Sequence, residues 1–302
     1  MQPNVVLPFL SSTLSFVFAL FLLDQWLERR RPYQLIWMLG MVWYGISAGT
    51  EFWGGAFGWS EPLYRAWYLF GAFYVAAWLG LGTMFLLAKT RFGYGAAISI
   101  LGAAPIMLAS QAKHQYTDTG VLPIVAFGIA VIGGLLIVME TYRGTGRWAR
   151  IAGILIVGGS IAVAPLVAFA PLPAPGYQLD ANGIPVGDLM PGAIRLLTPL
   201  FNVTGAFALA LGAVYSTIAA IRRGKLDSRV PATILIAIGG FIPSMTSGLS
   251  RFGATQAFFL GELLGVIFLF AGFLVSIEVF REFRIPFTKR VLRTRGEPQQ
   301  IP

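Results

Sequence analysis

Cysteine is absent from this chain and histidine occurs once, at His114. Without cysteine there are no disulfides, no iron–sulfur clusters and no thiolate chemistry. One histidine excludes bis-histidine haem ligation and histidine-based metal sites, and a Ser-His pair within an apolar segment lacks its base. Charge is scarce as well. Charged residues make up 12% of 302 positions, about half the share of a soluble domain. No two aspartates fall within apolar runs, no lysine lies deep in one, and no Gly-Lys-Ser/Thr loop is present. Aspartyl intramembrane proteolysis, a retinal Schiff base and nucleotide use are therefore not expected. The chain reads as a non-enzyme with no cofactor.

What is abundant is apolar: 56% of residues are hydrophobic and mean hydropathy is +0.72. The apolar residues come in runs of about 20, the length that crosses the hydrocarbon core as a helix, and they lack the alternation of barrel strands. The expected fold is all-α, a polytopic membrane helix bundle. Nine spans are expected, near 5–27, 34–58, 64–88, 94–108, 121–141, 151–170, 194–221, 230–247 and 256–279. Residues 1–280 form the bundle and 281–302 a basic tail. The first run has no basic region ahead of it and continues to Leu27, so it reads as a retained span rather than a cleaved signal.

The net charge of +9 suits nucleic acid only until its distribution is considered. Arg29–Arg31, then Lys89 and Arg91, then Arg143, Arg147 and Arg150, then Arg222, Arg223, Lys225 and Arg229, and finally the tail fall in alternate loops. The other loops hold Arg65, Lys113, Arg195 and Arg251 against Glu51, Glu61, Asp118, Asp180, Asp188 and Glu262. This alternation is the positive-inside pattern. It puts the N-terminus outside and the C-terminus in the cytoplasm of a plasma-membrane protein, and it leaves nucleic acid without a continuous patch. The tail, with Phe283, Ile285, Phe287, Val291 and Leu292 among its cations, suits anionic lipid headgroups. The plainer reading is a positive-inside stop signal.

Gly71-Ala-Phe73 and Gly205-Ala-Phe207 recur in spans three and seven, and Gly102-Ala-Ala-Pro105, Ala162-Val-Ala-Pro165 and Gly240-Phe-Ile-Pro243 recur in returning spans. The recurrence suggests tandem helical hairpins in one orientation. Glycines four apart, Gly45 with Gly49 and Gly261 with Gly265, read as close helix contacts. The longest outer loop, 171–193, carries an Asp180-Ala-Asn-Gly183 turn. It reads either as a cap on the outer mouth or as a connector.

Carboxylates inside apolar runs are the sharpest signal. Glu262 lies about six residues inside span nine, roughly 9 Å below its outer end, where a lone carboxylate needs a proton or a cation. The stretch before it is expected to break near Pro243 and turn past Arg251, the nearest partner in sequence; Arg65 and Arg195 are the alternatives. Glu51, in span two, is expected at a solvated interface. Pro105, Pro165, Pro199 and Pro243 sit in the outer halves of their spans and free backbone carbonyls there. With Thr198, Asn202, Ser244 and Thr246 nearby, they outline an outward polar cavity between spans two, seven, eight and nine. The expected function is binding or transport of a small solute at Glu262, Arg251, Glu51, Asn202, Thr198, Ser244 and Thr246. The alternative is an accessory or anchoring subunit of a larger membrane complex, whose early aromatics would hold lipid or a quinone. Expected partners are membrane lipid and, for the alternative, other membrane subunits.

Overall fold

The computed structural model describes residues 3–117, 119–222, 229–250, 256–275, 282–284, 287 and 291–294. The bundle is all-helical: α1 Pro3–Arg29, α2 Pro32–Phe57, α3 Glu61–Trp67, α4 Val75–Leu86, α5 Gly93–His114, α6 Leu122–Tyr142, α7 Trp148–Ala168, α8 Gly192–Arg222, α9 Arg229–Ser250 and α10 Gln256–Val275. A π-helical segment, Tyr68–Tyr74, joins α3 to α4 without interruption. In the tail, Glu282–Arg284 pairs antiparallel with Val291–Thr294.

Each expected span falls on one of these rods, with 61–86 counted as a single rod. Among the described residues, seven helices are both long and apolar enough to cross a membrane. The helix α2 is long enough but not among those seven, because it carries Gln34, Ser47, Thr50 and Glu51, all buried within the protein. The fourth span, expected to stop near residue 108, continues to His114, so the lone histidine closes α5 rather than sitting in a free loop.

The four prolines do not end their helices. Pro105, Pro165, Pro199 and Pro243 lie inside α5, α7, α8 and α9. The break expected at Pro243 is therefore corrected: α9 runs through it to Ser250. In hydrocarbon, breaking a helix exposes backbone groups with no water to meet them, so a bent continuous helix is the better solution. Room for the ring comes from Gly265 on α10, whose missing side chain leaves space that Pro243 fills.

Glycine governs how closely the helices pack. A Cβ on Gly205 of α8 would strike the backbone of Ala76 and Ala77, and one on Gly80 of α4 would sit 2.6 Å from Gly205 Cα. Gly71, the counterpart of Gly205 in the repeated tripeptide, abuts Ser47 Oγ instead, at 2.8 Å from where its Cβ would be. The two tripeptides thus share a packing role but face different helices. The Gly45 and Gly49 pair lies against Phe16 and Ser12 of α1, as expected of small residues in a membrane interface. Around these contacts, α8 packs on α4, α5 and α9, while α1 pairs with α2 and α9 with α10.

The connection between α7 and α8 docks onto α3. Asp180 Oδ1 accepts from the Asn182 and Ile184 amides, closing a small turn with a Leu179–Pro185 bridge. Tyr64 then donates to the Val186 carbonyl, and Gly187 sits under the Tyr68 ring. Arg65 donates to the Val167 and Ala170 carbonyls at the end of α7, at 2.7 and 2.8 Å, and to Glu61. These are carbonyls that the helix end leaves without partners.

If close backbone approach sets the bundle, Gly205→Ala forces α8 away from α4 and lowers stability by about 1–3 kcal/mol. Gly128→Ala on α6, where an added Cβ meets nothing within 4 Å, leaves the thermal midpoint in detergent unchanged. Equal midpoints for the two variants would show that the Gly205 contact is not tight.

Candidate functional site

The two carboxylates meet. Glu51 lies six residues before the end of α2 and Glu262 six residues after the start of α10. Because the two helices run in opposite directions, these positions fall at one depth. The side chains come within hydrogen-bonding reach of each other. Tyr44, two turns earlier on α2, donates to the Glu262 backbone carbonyl at 2.9 Å and ties the two helices together.

Glu51 is 1% exposed, which corrects the solvated position expected for it. The reason is a roof of indoles. Gly54 lacks a side chain, so Trp59 folds down onto the end of α2. Trp59 then meets Trp67 edge to face, and Trp67 donates its indole N–H to Glu51 Oε1 at 2.8 Å. Trp67 closes α3 where the π-helical segment begins, and the wider turn that follows sets the register of the aromatic residues after it. Those residues surround Trp43, which stacks on Phe70 and meets Tyr74 and Trp78 edge on.

Oε2 of Glu51 and Oε2 of Glu262 are both buried and accept no hydrogen bond among the described residues. Ser11 Oγ, on the buried face of α1 that packs against α2 and α10, is in the same condition. Two ionised carboxylates in contact repel each other, and each loses its hydration on burial. One positive charge shared by the two carboxyls, a proton or a cation, relieves both costs.

The other expected site residues divide. Arg251 lies outside the described residues, as do the side chains of Ser244 and Thr246, although the backbone of both belongs to α9. Arg65 is engaged at the end of α7, and Arg195 pairs with Asp188 at 2.7 Å while lying over the Tyr116 ring. Thr198 gives its hydroxyl hydrogen to the Arg195 carbonyl, so it serves its own helix. Asn202 is half-buried on α8 and makes no described hydrogen bond to the pair. Pro199 and Pro243 mark one half of α8 and of α9. A groove of about 230 Å3 runs between α8 and α9 from Ala213 to Ile218 and from Thr233 to Ile238, on their other halves.

Sequence reasoning passed over Tyr44 and Trp67. Equal distances of Glu51 and Glu262 from their outer helix ends were a signal for the pairing. Nothing in the sequence marks which tryptophan of the early aromatic group would reach Glu51.

Because the carboxyls act on each other, Glu51→Gln and Glu262→Gln should not be additive. A double-mutant cycle on unfolding free energy is expected to give a coupling of about 0.5–3 kcal/mol. Additivity within 0.3 kcal/mol, the usual scatter for independent sites, would mean that they do not interact. Trp67→Phe removes the only described donor to Glu51 and is expected to cost about 1–3 kcal/mol.

Compared with protein-family models, with curated proteins and with solved structures, the chain gives no match.

Proposed function

We propose that this multi-pass membrane protein binds or transports a small solute in the outer half of its bundle, with Glu51 and Glu262 as the charged element. The solute is a small cation, or a proton exchanged against one. The observation that supports this is the buried meeting of two carboxyls from helices far apart in sequence, each with an oxygen that no described group satisfies. Ionisable groups inside a membrane are costly to keep, and they mark ion paths and proton relays where they occur. A purely structural pin between α2 and α10 would be served better by a carboxyl and an amide, which need no third charge. Tyr44 and Trp67 hold the pair in place from the side, so a ligand that enters meets carboxyls already positioned.

The test is a thermal-unfolding screen of the purified full chain against sodium, potassium, ammonium and small organic ammonium ions at several pH values. A cation that binds the folded state at a hundredfold excess over its Kd stabilises it by about 2.7 kcal/mol, or about 4 °C in the midpoint. The expected outcome is such a shift for at least one cation in the wild type, lost in both Glu51→Gln and Glu262→Gln. No shift with any cation, or an undiminished shift in both variants, would overturn the proposal.

A further inference from the structure

The groove between α8 and α9 is separate from the carboxyl pair and has a different chemistry. Its walls are Val214 and Ile218 on one helix and Ile234 and Ile238 on the other, all exposed on the surface of the bundle. Thr217 and Thr233 lie in the groove with their hydroxyls hydrogen-bonded to each other at 2.9 Å. That bond leaves the groove with little to offer a polar solute, whose sites place convergent polar groups among apolar ones. The space suits a flexible apolar chain.

One end of the groove points to what the chain belongs to. From Thr217 the helix α8 continues five residues to Arg222, which is exposed in its last turn. At 1.5 Å per residue that is roughly 7.5 Å. A basic residue near a membrane surface attracts anionic headgroups, at about 1 kcal/mol. An apolar trough leading to a cationic edge has the charge and polarity pattern of one phospholipid molecule.

We propose that the α8–α9 groove holds an acyl chain of an anionic glycerophospholipid, with its phosphate at Arg222. The occupant is a membrane lipid rather than a second protein chain, because the apolar trough and the cation follow one another along α8, as the acyl chain and phosphate do in a phospholipid. This site does not depend on the solute-binding role.

The experiment is native mass spectrometry of the full chain released from detergent micelles with equimolar dioleoylphosphatidylglycerol and dioleoylphosphatidylcholine. The wild type is expected to retain one phosphatidylglycerol in preference to phosphatidylcholine. Arg222→Gln, a change at an exposed position, is expected to reduce that preference about fivefold. Ala237→Leu, which fills the groove, is expected to reduce retention of both lipids. Equal retention of the two lipids by the wild type would overturn the proposal. So would a preference unchanged in Arg222→Gln, which would place the lipid elsewhere, for example at the basic tail. A dimer without lipid adducts would show that a second copy covers the face.

Discussion

Between membrane helices the hydrophobic effect supplies little attraction, since lipid tails are as apolar as leucine, and close packing takes over. This bundle depends on a few places where backbones nearly touch. Gly205 lies on Ala76 and Ala77, Gly80 on Gly205, Gly239 against Leu269 and Gly265, and Gly265 under Pro243. The first two contacts hold α8 against α4. The others hold α9 against α10, which brings α10 and its Glu262 to a fixed height. Proline in α9 is tolerated because its ring has a glycine to lie on.

The carboxyl pair follows from that framework. Glu51 and Glu262 each sit about a turn and a half from a helix end, and antiparallel helices place such positions opposite one another. Tyr44 secures the crossing through a backbone carbonyl rather than through the carboxyls. The charged groups are therefore held without being neutralised by the contact that holds them. Trp67 and Trp59 exclude water from above. In a low-dielectric site that exclusion strengthens every electrostatic interaction, repulsion between two anions included. The features that bury the pair are thus the ones on which the proposed cation or proton role rests.

The end of the bundle around the pair is braced by a second polar network. Arg65 meets the carbonyls that close α7, and Tyr64 and Tyr68 receive the loop between α7 and α8. The loop thus fastens α3 to α7, and α3 carries Trp67. Arg65, an alternative to Arg251 as a partner for Glu262, acts instead on the end of α7, where unpaired carbonyls attract it.

The sequence by itself determined the class of the protein and the positions of its helices. Twenty-residue apolar runs separated by basic turns permit one solution in hydrocarbon, because every backbone group must be satisfied within its own segment. It also marked Glu262 and Glu51 as anomalies, since charge inside such runs is costly wherever it falls. It could not say that the two would meet, that Glu51 would be buried, or that Pro243 would lie within an unbroken helix. Those outcomes turn on which glycine of one helix admits which neighbour, and on an indole reaching from α3 to α2. Contacts of that kind join residues far apart in the chain and leave no periodic trace in it, so only the tertiary structure decided them.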